Sequence, residues 1–177
     1  RAMHTADAAI IIPVHNHGAA VLDTLVSVVE QTLLPKRLIV VDDGSTDEAA
    51  QNVQQWLAET DPRIEAHFLR QPARGAALAR NYGMGQRGDC RFVAFLDPDD
   101  LWPPDFLQRA TYYLETYPKA VAVSCDRLTV NAASSARRRE VLAGIADNPP
   151  RWLFTRDARV GSCTLFRAEA ILSLGQD

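Results

Sequence analysis

Phe92–Val93–Ala94–Phe95–Leu96–Asp97–Pro98–Asp99–Asp100 is the stretch whose reading decides the fold. Five apolar residues run together, and three carboxylates follow within four positions. The apolar run has the length and composition of a strand buried on both faces, as in a parallel sheet covered by helices on each side. The carboxylates fall where that strand leaves the sheet, and in an open α/β sheet ligands bind outside the carboxyl ends of the strands. Asp97, Asp99 and Asp100 crowded there repel one another unless a cation or a bonded ligand compensates. Oxygen-only ligands suit a hard divalent ion, Mg2+ or Mn2+, of the kind that also binds substrate phosphates. A solvated acidic turn capping the next helix is the alternative, and this stretch by itself leaves both open.

The flanking sequence repeats the pattern. Residues 8–14 read as a buried first strand with Pro13 at its end, because proline breaks a central ladder. His15–Asn16–His17–Gly18 is a loop, and residues 19–31 carry Leu22, Leu25, Val26 and Val29 at helical spacing. A second buried strand spans 37–41, and Asp42–Asp43–Gly44–Ser45 leaves its end. Ser45 and Glu48 have capping-box spacing, which predicts a helix over 46–60 with Val53, Trp56 and Leu57 inward. Residues 64–69 alternate as a more peripheral strand, and 76–86 form a helix carrying Arg80 and Asn81. Beyond the acidic turn, Trp102–Pro103–Pro104 precedes a helix over 105–117, where prolines at the start are expected. Strands at 120–125 and 162–166 and a helix at 168–174 close the chain; 131–159 is a long connection with one short helix at 140–145.

Strands alternating with helices predict a single α/β domain with a mostly parallel central sheet and helices on both faces. In such a sheet the polar ends Pro13–Val14–His15–Asn16, Asp42–Ser45 and Asp97–Asp100 lie along one edge. That convergence favours a binding site over a helix cap.

Composition narrows the classes. A chain of 177 residues can bury the core of one domain. With 47% hydrophobic and 23% charged residues it reads as globular, and a net charge of −3 gives no footprint for nucleic acid or an anionic membrane surface. No apolar run approaches the ~20 residues of a membrane helix. Three cysteines without a CxxC pattern point to reduced thiols and a cytoplasmic setting, which includes the cytoplasmic face of a membrane. Residues 1–7 read as a disordered or tag-like start.

Four motifs in order resemble a family 2 glycosyltransferase with the Rossmann-like A-type fold. They are Ile12–Pro13–Val14–His15–Asn16, Val40–Val41–Asp42–Asp43–Gly44–Ser45–Thr46–Asp47, Gly75–Ala76–Ala77–Leu78–Ala79–Arg80–Asn81, and Phe95–Leu96–Asp97–Pro98–Asp99–Asp100–Leu101–Trp102–Pro103–Pro104. The resemblance implies inverting transfer of a sugar from a nucleotide-sugar, most often a UDP-sugar, to a hydroxyl of a glycan, lipid or protein. It implies a nucleotide site of Pro13, Val14, His15, Asn16, Asp43, Arg80, Asp97 and Pro98, with Asp43 accepting from the base's ring N–H. It also implies a Mg2+ or Mn2+ site of Asp97, Asp99 and Asp100. On this reading residues 8–130 are the donor core and 131–177 begin an acceptor side that is incomplete. The family's acidic general base is expected beyond Asp177, so no catalytic residue is assigned. His15 stands where the family often has Tyr; an imidazole can still stack on a base.

Each motif also has a structural alternative. Asp42–Ser45 could be a turn with a helix cap, and Arg80 could pair with a carboxylate on the sheet edge. Trp102 fits packing beneath the turn better than stacking on a sugar. His15 and His17 make a poor transition-metal site. Arg137–Arg138–Arg139 reads as a solvated face, with an anionic acceptor or lipid headgroup as the sharper option. A nucleotide-binding module without transferase activity and a phospho-signalling receiver are the competing functions. A receiver, however, carries its acidic pair after the first strand, and Asp42–Asp43 follows the second.

Overall fold

Three consecutive isoleucines, Ile10, Ile11 and Ile12, are completely buried at the centre of the molecule, on strand β1 (Ala6–Val14). A computed structural model describes residues 5–130, 137–140, 144–146 and 161–173. Successive side chains of a strand point to opposite faces. Ile10, Ile12 and Val14 therefore enter one core layer, and Ala9 and Ile11 the other. β1 is flanked in parallel by β2 (Pro35–Asp43) and β4 (Phe92–Phe95), and β3 (Glu65–Gln71) is the parallel edge strand beyond β2.

The other side of the sheet is antiparallel. β9 (Thr164–Arg167) pairs with β4, β5 (Ala122–Ser124) pairs with β9, and β8 (Gly144–Ala146) pairs with β5. The order is thus β3-β2-β1-β4-β9-β5-β8, and β6 (Arg127–Val130) with β7 (Arg137–Glu140) forms a separate ribbon. β9 lies in the same sheet as β1–β4 although it comes from the 131–177 segment.

Helices cover both faces. α1 (Ala20–Val29), α2 (Ala49–Ala58) and α4 (Phe106–Thr116) bury Val21, Leu25, Val53, Leu107 and Leu114 on one layer. α3 (Ala76–Gly85) and α5 (Ala168–Leu172) bury Ala79, Met84 and Ala168 on the other. α3 sits so close to β1 that a Cβ on Gly83 would lie 2.5 Å from Ile11 Cγ2. Pro13 is tolerated one residue from the end of β1 for a simple reason. Ile11 accepts from the Leu96 amide on the β4 side, and Pro13 faces the same way, past the last β1–β4 pair.

Several local expectations need correction. β1 begins at Ala6, inside the segment read as a loose start; Ala6 is buried and registers with Pro35. α1 buries Val21, Thr24, Leu25, Ser27 and Val28, while Val26 is exposed, so its inward face is rotated from the apolar stripe. α2 starts at Ala49 and Ser45 does not cap it; Asp47 Oδ1 accepts from the Ala49 amide instead. The short helix expected at 140–145 is absent, because Glu140 ends β7 and Gly144 begins β8. The loop expectations for 147–160 and the side chains of Arg137–Arg138–Arg139 lie outside the description.

Candidate functional site

β2, β1 and β4 are adjacent and parallel, so their C-terminal ends open on one edge of the sheet, as the sequence pattern requires. The β2 end is built around Asp43. Its carboxylate is almost fully buried and accepts from Gln71 Nε2 at 2.7 Å, Arg74 N at 2.8 Å and Gly75 N at 2.7 Å. Burial pushes the carboxyl's pKa up. The bonds from Gln71, Arg74 and Gly75, together with the nearby His15, outweigh it and hold the group below the ordinary aspartate value. Three of the roughly four lone-pair positions of a carboxylate are thus filled, and one on Oδ2 remains. Gly44 makes this approach possible. Its φ is +70°, and a Cβ there would lie 2.6 Å from the Ala73 amide nitrogen.

The β1 end is tied to the β2 end by Asn16. It adopts a left-handed φ of +54°, a conformation asparagine accepts better than most residues. Asn16 Oδ1 accepts from the amides of Thr46 (2.8 Å) and Asp47 (3.3 Å), and the Asn16 amide donates to Ser45 Oγ at 3.0 Å. This is why Ser45 does not cap α2: its hydroxyl serves the neighbouring loop. The oxygen of Asn16 being occupied, its amide nitrogen faces His15 Nε2 at 3.3 Å. His15 Nδ1 lies 2.8 Å from the Asp43 carbonyl, which can only accept. The hydrogen therefore sits on Nδ1, and Nε2 accepts from Asn16. The ring itself is exposed.

At the β4 end, Arg80 of α3 meets Asp97 with Nη2 2.5 Å from Oδ1, which is the structural alternative weighed for Arg80. Pro98 is buried and Asp99 exposed. Asp99 has no hydrogen-bond or ion-pair partner among the described residues. Asp100 is fixed at two points: its carbonyl accepts from Thr24 Oγ1 at 2.9 Å and its carboxylate from Ser162 Oγ. Trp102 is buried, packs tilted against Phe106 with ring centroids 4.4 Å apart and donates Nε1 to the Ser162 carbonyl, so it packs beneath the turn.

The three carboxylates are therefore not gathered into one ligand set. Among the described residues no group of three His, Cys, Asp or Glu side chains is placed to hold a metal, and this includes His15 and His17. Burial raises the thiols of Cys90 and Cys125 to about 11, so neither is an activated nucleophile. Gln71, Arg74, Ser45 and Ser162 are site residues that the sequence reading missed. Gln71 ends β3 and Arg74 lies on the loop between β3 and α3, whose role shows only once Asp43 is seen to bind it. An open cleft of 410 Å³ is lined by Arg70, Gln71, Pro72, Arg74, Leu78 and Tyr82. No described helix is long and apolar enough to cross a membrane.

Comparison with known proteins matches the fold. The family model "Glycosyl transferase family 2" matches residues 9–175. TuaG of Bacillus subtilis, named as a teichuronic acid biosynthesis glycosyltransferase, is 37% identical over 105 residues, covering 59% of this chain and 40% of that protein. The succinoglycan biosynthesis protein ExoW of Rhizobium meliloti is 38% identical over 103 residues, covering 57% of this chain and 32% of its own. The solved structure of Staphylococcus aureus TarS residues 1–349 with UDP-GlcNAc superposes with a TM-score of 0.71 at 19% identity, over 95% of this chain and 47% of that one. The mannosyltransferase PcManGT of Pyrobaculum calidifontis, solved with GDP-Man and Mn2+, gives 0.69 at 25% identity, over 97% and 47%. The chain thus spans less than half the length of these relatives.

Proposed function

The chain belongs to glycosyl transferase family 2, and on that footing we propose that its β1, β2 and β4 ends hold a nucleotide-sugar donor, a UDP-sugar, for inverting transfer to an acceptor hydroxyl. The observation that carries the reading is the convergence of Asp43, His15, Arg80 and Asp99 on one edge of a parallel sheet. In this reading the exposed His15 ring is a stacking face for the base. The remaining lone pair of Asp43 Oδ2 accepts the base's ring N–H, which suits uracil. The relatives solved with UDP-GlcNAc and with GDP-Man make the same donor class reasonable here.

The donor set at the acidic turn fits a divalent ion of the Mg2+ or Mn2+ kind. Such ions are commonly held by one or two carboxylates and complete their shell with phosphate oxygens and water. Asp99 offers an exposed carboxylate without a protein partner, and Asp97 keeps an oxygen, Oδ2, that Arg80 does not take. When bound, the ion would supply charge neutralisation for a leaving diphosphate. Arg80 holds Asp97 toward the donor, and Asn16 keeps the His15 wall in place. In this proposal residues 8–130 are the donor core, and a cytoplasmic setting goes with it.

Calorimetric titration of UDP and GDP, each with and without Mn2+, tests the reading on the wild type and on Asp99→Ala. UDP is expected to bind, more tightly with Mn2+, and the Mn2+ effect is expected to vanish in the variant. Absence of UDP binding, or affinity indifferent to both metal and substitution, rules the donor site out. Tighter binding of GDP would move the donor to a guanine nucleotide-sugar.

A further inference from the structure

Ser162 stands in the turn that leads into β9, more than sixty positions from the acidic turn, yet it makes two bonds to that turn and one to Trp102 beneath it. Its Oγ accepts from the Asp97 amide at 2.9 Å and donates to Asp100 Oδ2. Its carbonyl accepts from Trp102 Nε1. A serine hydroxyl has one hydrogen to give. That hydrogen goes to Asp100, and a lone pair takes the Asp97 amide, so each role of the hydroxyl is fixed by its partner. Ser162 is itself buried, and Trp102 beneath it is anchored again by its own amide to Ser27 Oγ at 3.3 Å.

The consequence is a division among three neighbouring carboxylates. Asp97 is drawn to Arg80, and Asp100 is held by Ser162 and, through its backbone, by Thr24. Asp99 is the one left exposed without a partner among the described residues. We propose that Ser162 is the positioning residue of the acidic turn: it retains Asp100 against β9 and thereby presents Asp99 to a divalent cation that bridges a nucleoside diphosphate. This rests on the donor-site reading above and adds to it a residue that never touches the donor. Supporting partners of metal ligands matter because they fix the ligand's orientation before the ion arrives.

The test compares wild type with Ser162→Ala, Ser162→Cys and Ser162→Thr, titrating UDP in the presence and absence of Mn2+ by calorimetry. Cysteine keeps the volume but is a weak donor and acceptor; threonine keeps the hydroxyl. The ratio of UDP affinity with Mn2+ to that without is expected to fall about tenfold in the Ala and Cys variants, the size typical of a lost supporting partner. UDP affinity without metal stays at the wild-type level, and threonine restores the ratio. If the ratio is unchanged in both Ala and Cys variants, Ser162 does not set the metal position. If metal-free affinity falls equally, its role is only structural and the proposal is also lost. A wild type that binds UDP without any Mn2+ effect overturns the metal reading itself, which separates that failure from a failure of Ser162. Should the Ala variant not fold, the Cys and Thr pair carries the same comparison.

Discussion

Arg80 and Asp97 face each other at 2.5 Å from a helix on one side of the sheet and a strand end in its middle, both side chains half-buried. The contact joins α3 to the acidic turn and commits one oxygen of the first carboxylate before any ligand is present. Because the pair keeps access to water, its share of stability is small, about 1 kcal/mol. Arg80→Ala is therefore expected to unfold in urea near the wild-type midpoint while weakening UDP–Mn2+ binding about tenfold, the loss of one charge-assisted contact. A large drop in stability with unchanged binding would make the pair purely architectural.

Asp43→Asn probes the β2 end. The three donors that converge on Asp43 cannot all be satisfied by an amide, whose nitrogen is itself a donor. A loss of about 2–3 kcal/mol is expected by denaturant titration at pH 7. The sign of its pH dependence follows from a carboxyl held below the ordinary value of 3.8. The stabilisation is complete above that value and is lost as pH falls through the lower folded-state value. The gap between wild type and variant should stay constant from about pH 7 to 5 and close only in stronger acid. A gap that narrows already at pH 6 would contradict the assignment.

Gly44→Ala combines two penalties: a left-handed backbone and a Cβ driven onto the Ala73 amide nitrogen. The backbone term alone is about 1–2 kcal/mol. The total should exceed about 3 kcal/mol, in the range reserved for core disruption. Thermal unfolding followed by circular dichroism reads it, and an unchanged melting temperature would mean that loops 42–45 and 71–75 are not packed as described.

Trp102→Phe keeps an aromatic ring against Phe106 and removes the hydrogen bond to the Ser162 carbonyl. A cost of about 1–2 kcal/mol in stability is expected from the stranded carbonyl. UDP affinity without metal should not change. A variant that loses donor binding while keeping its stability would instead argue for a ring that contacts the sugar.

Asp99→Ala, by contrast, should leave stability within about 0.5 kcal/mol, since the carboxylate is exposed and bonds to nothing described. A marked loss on thermal denaturation would reveal a structural partner for Asp99.

The strands that position the site were legible because their signal is local. Ala8–Val14, Leu38–Val41 and Phe92–Leu96 are unbroken apolar runs, each followed by polar residues, and burial on both faces leaves no other pattern. What was not legible depends on partners distant in sequence. Ser45 and Glu48 satisfy the local rule for a cap, but Asn16 claims the Ser45 hydroxyl from 29 positions away. Thr24 and Ser27 lie on the buried face of α1 because they bind Asp100 and Trp102, and counting apolar residues cannot find them. The strand pair β7 and β8, where a helix was expected, is set by pairing with β6 and β5. The acidic motif was legible as three like carboxylates but not in its division: Arg80 holds Asp97 and Ser162 holds Asp100, and only the folded chain brings them there.

β9 also fixes an order in time. Val93 pairs with Phe166, and Ser162 meets Asp97 and Asp100 across 65 and 62 positions. On a ribosome, β1 to β4 emerge well before β9 exists. Closing a loop of that length costs entropy that no early contact offsets. The Asp43 and His15 end of the edge, made by neighbouring loops of the parallel half, can therefore set first. The acidic turn stays slack until β9 docks beside β4, so this corner of the sheet edge is the last to take its shape as the chain folds.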